Sequence, residues 1–274
     1  MEPTISPATL QEEEETLAHN REHRIIVDTS HLITEDDEPV DNVYSAHQQR
    51  LLAEPLYSSL DFWNPDKRSF VANANVGVFM ANRNPAIVPD AFVSMDVDMV
   101  TIDEDGKPIE PDFTKIRSYF VWEYGKVPDV VVEVVSNRIG NEFSRKMREY
   151  AKMHVPYYVV FDPFGMYKGE KLQIFKLEQF TYVPHKDFWF EEIGLGLRLW
   201  DGLYEAFTTT WLRWCDIRGN VVPTGAEAFQ SEKEKAHHAE KIALQQHERA
   251  EQERERADRL AEKLREFGVN PDTL

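Results

Sequence analysis

With 274 residues, a net charge of −18, 42% hydrophobic and 12% aromatic residues, the chain has material for one large globular domain or two small ones. No apolar run approaches the roughly 20 residues that span a bilayer. The N-terminus is acidic, without the basic-then-apolar pattern of a secretory signal, and the single cysteine, Cys215, excludes an internal disulfide. A cytoplasmic protein with no membrane contact is expected, and any nucleic-acid role must use a local basic patch, because an acidic surface does not attract DNA at long range.

Residues 1–40 hold 11 acids and two bases and are expected to form a mobile acidic arm. A globular domain is expected over residues 41–223. Ser45 is the predicted cap of a helix running through HQQRLLAEPLYSSLDFW, with Leu51, Leu52, Leu56 and Leu60 on its apolar side and Pro55 kinking or splitting it. FVANANVGVFM, residues 70–80, alternates like a half-buried strand. Further strands are predicted at the β-rich run after Pro89 and at SYFVWEYG, VVVEVV, YYVVFD and KLQIFKLE. A helix pattern, NEFSRKMREYAKM, lies between VVVEVV and YYVVFD, which is the order of a βαβ unit. The aromatic-rich stretch 170–218, punctuated by Gly194, Gly196 and Gly202, reads as antiparallel strands that close the domain.

Composition changes after Pro223. Over residues 224–267 a seven-residue spacing sets Ala236, Ala243, Ala250, Ala257 and Leu264 on one line, with Ala239, Gln246, Glu253, Leu260 and Phe267 as their paired positions. That periodicity predicts a coiled-coil helix of about 40 residues and roughly 60 Å, pairing with itself or with a partner helix. The alternative is a solvated single helix. Gly268 is placed to end it, leaving residues 268–274 as a tail.

The chemistry centres on PDVVVEVVS, residues 128–136, where valines surround one carboxylate, Glu133. Such a run reads as a strand buried on both faces, where an ionised carboxylate needs a cation, a metal or a proton. Asp90 in VPDAFV precedes a similar run; by itself it reads as a turn residue. Glu142, Lys146 and Tyr150 are spaced four apart and form one stripe on the predicted helix. Arg145, Arg148 and Lys152 on that helix, with Arg138 in the loop before it, make a candidate phosphate-facing patch. Asp96 and Asp98 share one face, read as solvated; Asp129 reads as a strand-entry residue and Asp162 as a turn. Two carboxylates and a lysine suit metal-assisted phosphodiester hydrolysis, since carboxylates hold Mg²⁺ or Mn²⁺ and a lysine can stabilise developing negative charge.

With VPDAFV at 88–93, PDVVVEVVS at 128–136, Lys146 with Tyr150, and VPYYVVFDP at 155–163, the chain resembles the Uma-type restriction endonuclease family of the PD-(D/E)XK nuclease superfamily, over roughly residues 40–218. The resemblance implies a restriction-endonuclease-like α/β fold, a mixed sheet flanked by helices, and a metal-dependent endonuclease acting on nucleic acid, DNA ahead of RNA. It implies Asp90 and Glu133 as metal ligands with the Val134 carbonyl, and Lys146 as the catalytic lysine. The superfamily's usual lysine position, two residues after the Glu, holds Val135. Glu142, Tyr150 and His47 are auxiliary candidates. A homodimer is expected. The rival is a catalytically silent nuclease-fold interaction module that assembles through its coiled coil.

Overall fold

The computed structural model describes residues 42–81, 85–97, 118–136 and 145–266. The acidic arm, Asp98, Arg138, Glu142, Phe267 and the 268–274 tail lie outside the described residues.

Helix α1 spans Val43–Ser58 and is capped by Asn42, whose side chain accepts a hydrogen bond from the Ser45 amide at 2.9 Å. An asparagine oxygen satisfies a free helix amide as well as a serine does. Ser45, the expected cap, therefore lies inside the helix and is buried. Pro55 does not split α1. The break comes at Ser59, before a one-turn helix α2, Leu60–Trp63. Leu51, Leu52 and Leu56 are buried as expected, whereas Leu60 starts the second helix and is exposed.

The run 70–80 forms two strands, β1 (Phe70–Ala74) and β2 (Val78–Phe79). Asn75 takes a left-handed φ of 56° and breaks the alternation. At Gly77 an added Cβ would come within 3.1 Å of the Ala86 side chain, so the close approach favours glycine. SYFVWEYG supplies only β4 (Tyr119–Phe120), which pairs in parallel with β2. A helical turn α3 (Val121–Tyr124) follows and is closed by Gly125 at φ 75°.

The main sheet adds β3 (Ala91–Met95), β5 (Val130–Val134), β6 (Tyr157–Phe161), β7 (Leu172–Glu178) and β8 (Thr181–Pro184), in the order β1-β3-β5-β6-β7-β8. Within this sheet β5 and β6 are the parallel pair, with Val130 opposite Tyr157 and Val134 opposite Phe161, and the other neighbours are antiparallel. The chain between them includes helix α4, Met147–Lys152, as the βαβ pattern predicts. Side chains of β5 alternate between two cores. Val130, Val132 and Val134 pack with Leu52 and Leu56 of α1 and with Leu212 and Trp214. Val131 and Val135 pack with Tyr150 and Tyr158. Each fully buried valine contributes about 1.5–3 kcal/mol of transfer free energy, and the same alternation turns Glu133 toward α4.

A second, antiparallel sheet contains β9 (Trp189–Phe190), β10 (Leu195–Tyr204) and β11 (Phe207–Cys215), ordered β11-β10-β9. Helix α5 then runs 42 residues, Gly225–Glu266. Thr224 and Glu227 cap it reciprocally: the Glu227 amide donates to the Thr224 hydroxyl at 3.2 Å and the Thr224 amide donates to Glu227 at 2.8 Å. Glu227 also takes two hydrogen bonds from Arg213, at 2.8 and 2.6 Å, and that guanidinium lies over Trp200. From Ser231 to Leu260 every residue of the helix is exposed. Among the described residues no helix is long and apolar enough to cross a membrane.

Candidate active site

Glu133 is fully buried near the end of β5. One of its oxygens accepts from the Lys146 ammonium at 2.6 Å and the other from the Tyr150 hydroxyl at 3.0 Å. Lys146 stands immediately before α4 and Tyr150 is one turn further on, so their four-residue spacing brings both onto the same carboxylate. Burial pushes the pKa of Glu133 up to about 8. Lys146 and Tyr150 oppose that rise, and the nearby charge of Asp90 adds to it. Burial and the Glu133 charge hold the Tyr150 pKa well above its usual 10, so Tyr150 remains a protonated donor.

Asp90 approaches from just before β3. Its Oδ2 accepts from the Val134 amide at 2.6 Å, and its Oδ1 accepts from Gln49 Nε2 at 2.8 Å. Val134 thus engages Asp90 through its amide; the carbonyl is the atom the resemblance would assign to a cation. Gln49 is a buried residue of α1, and the sequence reading did not select it. The available signal was a pair of glutamines inside an apolar helix face. Its neighbour Gln48 is structural, bonding both the carbonyl and the amide of Leu212. Beside Gln49 a cavity of about 500 Å³ opens between α1 and β1, lined also by Arg50, Glu54, Tyr57 and Asn73.

The other expected residues are distributed as follows. Arg145 and Arg148 are exposed next to Lys146, and Lys152 is exposed in an ion pair with Glu149 at 2.8 Å. Arg138 and Glu142 lie outside the described residues. His47 turns toward the β10–β11 hairpin, 2.8 Å from Glu205 and edge-on to Phe207, while Gln49 on the same helix is the residue that meets Asp90. Asp129 is held by Lys126 and by the Met95 amide at 2.7 Å, and Asp162 accepts from the Met166 and Tyr167 amides; both are turn and strand-entry residues, as read. Asp96 is exposed and paired with Arg68 at 2.6 Å. Among the described residues no group of three or more His, Cys, Asp or Glu gathers to hold a metal. The site offers two carboxylates, one buried and mutually repelling with the other, and that hard-oxygen set fits a divalent cation.

A family model described as "Uma2: Putative restriction endonuclease" matches residues 39–197. The chain belongs to the Uma2 family. The matched span contains Asp90, Glu133, Lys146 and Tyr150, and the long helix α5 lies beyond it. The family is described as nuclease-type, and the chain has a mixed α/β fold. It is also similar to a crystal structure of "a putative nuclease" from Anabaena variabilis, at 13% identity over 55% of this chain and 72% of that one, with a TM-score of 0.37. No curated protein matches this Uma2 chain.

Proposed function

We propose that this Uma2 chain is a metal-dependent endonuclease that hydrolyses phosphodiester bonds in nucleic acid, with Asp90, Glu133 and Lys146 as its centre. The observation that carries the reading is the convergence of Lys146 and Tyr150 on the buried Glu133, with Asp90 anchored to the next residue's amide. Asp90 and Glu133 would hold Mg²⁺ or Mn²⁺, together with the Val134 carbonyl that the family resemblance assigns. When bound, such an ion supplies an activated water and neutralises charge on the phosphate. The chain's own groups do the positioning. Gln49 and the Val134 amide fix Asp90, Tyr150 fixes Glu133, and the Lys146 ammonium can stabilise negative charge developing on the phosphate oxygens. Arg145 and Arg148 supply the local positive charge that an acidic protein needs near a phosphate backbone.

A second reading has one specific support. Lys146 and Tyr150 already occupy both oxygens of the buried Glu133 without a metal, as they would in a nuclease-fold module that does no chemistry. Cleavage of mixed DNA and RNA substrates by the purified full chain, with EDTA, Mg²⁺ or Mn²⁺, separates the two. The expected result is metal-dependent cleavage that Glu133→Gln abolishes while circular dichroism shows an intact fold. Cleavage that persists unchanged in Glu133→Gln refutes the assigned centre. Absence of cleavage by the wild-type chain on every substrate and metal favours the module.

A further inference from the structure

Helix α5 segregates its charge in a way that its near-balanced total hides. Ala236, Ala243, Ala250 and Ala257 form one line of its seam, and Ala239, Gln246, Glu253 and Leu260 form the other. The positions that flank this seam are ten of the 36 between Ser231 and Glu266, yet they hold six of the nine Lys and Arg there and one of the ten Asp and Glu. The six are Lys233, Lys235, Arg249, Arg254, Arg256 and Lys263, and all are exposed. On the side away from the seam, Glu234, Glu248, Glu255 and Glu262 follow a seven-residue spacing broken only by Lys241. A helix that needed only solubility would intersperse the two signs around its surface. Here the cations border the apolar stripe and the acids lie behind it. Lys235 has an acid on its own helix, Glu232 at 2.8 Å, but both are so exposed that the pair holds little energy.

The same face matches its own copy poorly. In a parallel pair Arg249 meets Arg254, Lys235 alone finds an acid, Glu240, and Glu253 faces its own counterpart inside the seam. Alanine against alanine also buries little area in each layer.

We infer that the seam of α5 docks a second helix with acidic flanks, large apolar residues between them and a base opposite Glu253. Each feature of that partner answers one of the arm. Acidic flanks meet the row of cations, and flanking charges are what set partner choice in a coiled coil. Leucine-sized side chains fill the room that the alanines leave, since facing layers pack best when large meets small. A base opposite Glu253 removes the cost of a carboxylate left unpaired in the seam. A second copy of α5 uses the same seam without these matches, so it binds less tightly. The inference concerns the arm alone and stands apart from the endonuclease reading.

The test uses the full chain and three fluorescein-labelled synthetic helices of about 35 residues, read by anisotropy. The first has leucine in the seam, glutamate on the flanks and lysine opposite Glu253. The second carries lysine on the flanks instead. The third has the composition of the first in scrambled order. The acidic-flanked helix should bind about tenfold more tightly than either control, and added salt should weaken it. Arg249→Glu, Arg254→Glu and Arg256→Glu made together should invert the preference in favour of the lysine-flanked helix, with circular dichroism confirming an unchanged fold. Equal binding of the scrambled helix would mean that the cations attract any polyanion, and it overturns the inference. So does a lysine-flanked helix that binds the unaltered chain as tightly as the acidic one, a preference that survives the triple reversal, or no binding by the acidic-flanked helix.

Discussion

Glu133 should report its own burial in the stability of the chain. Its proton is held more tightly in the folded state than in the unfolded state, with a pKa moved from the ordinary 4.5 to about 8. Between those values the unfolded chain has released a proton that the folded chain keeps, so stability falls as pH rises through this window and levels off above it. Below about pH 4.5 the group is neutral in both states and costs nothing. Glu133→Gln removes the ionisation, so urea unfolding in EDTA should show it gaining on the wild type by a few kcal/mol between pH 5 and pH 8.5. A gap that does not change with pH would mean Glu133 is ionised throughout. Lys146→Met should cost about 1 kcal/mol more at pH 8.5, where Glu133 has begun to ionise and loses its cation, than at pH 5, where Glu133 is protonated. Glu133, Lys146 and Tyr150 were legible in the sequence because a lone acid in a valine strand demands a partner and a four-residue helical spacing offers two. Gln49 was not, because two adjacent glutamines on an apolar helix face mark burial without saying which of them meets an acid, and its partner Asp90 is 41 residues away.

The strands that carry the site were readable because they are runs of β-branched residues, and β5 and β6 came out parallel as the strand–helix–strand order requires. The edges of elements were less readable. Asn75 breaks the 70–80 strand by a backbone conformation that leaves no trace in the apolar alternation, and the aromatic run after Tyr119 curls into a turn where Gly125 can end it. The junction of β11 with α5 is another case. The sequence marks α5 by its heptads, but its root is fixed by Glu227, which caps the helix and grips Arg213, a residue only 2% exposed. Glu227→Ala should therefore cost about 3–5 kcal/mol in urea unfolding, because the guanidinium stays buried with its partner gone. Replacing both members, Arg213→Met with Glu227→Leu, should recover most of that loss. A cost below about 1 kcal/mol for Glu227→Ala would show that the exposed side of the pair lets water substitute for the carboxylate.

At the scale of the whole molecule, α5 is an arm exposed on all sides from Ser231 to Leu260, and we propose that it pairs two copies of the chain. Carried back one heptad, the alanine line begins at Phe229, which is 71% exposed and continues the seam to the helix root. Alanine layers bury little area, so the coil alone should associate weakly. Its flanks add little to self-pairing. With Ala236 in the core line, the flanking positions include Lys233, Lys235, Arg249, Arg254, Arg256 and Lys263, and only Glu240 among them is acidic. In a parallel pair Arg249 meets Arg254 across the seam, Lys235 meets Glu240, and the other layers pair a charge with a neutral residue or none. Added salt should therefore change the dimer little, unlike an assembly held by ion pairs. The truncation that tests this must spare the root: deletion from residue 224 would remove Glu227 and strand Arg213, whereas deletion from Ser231 keeps the cap and the ion pair. Light scattering on the full chain and on the chain ending at Gln230 should show weaker dimerisation in the shortened form, with unchanged circular dichroism per residue in the sheet region. Equal oligomeric states at equal concentration, at both low and high salt, would mean that the arm does not pair two copies and serves another partner.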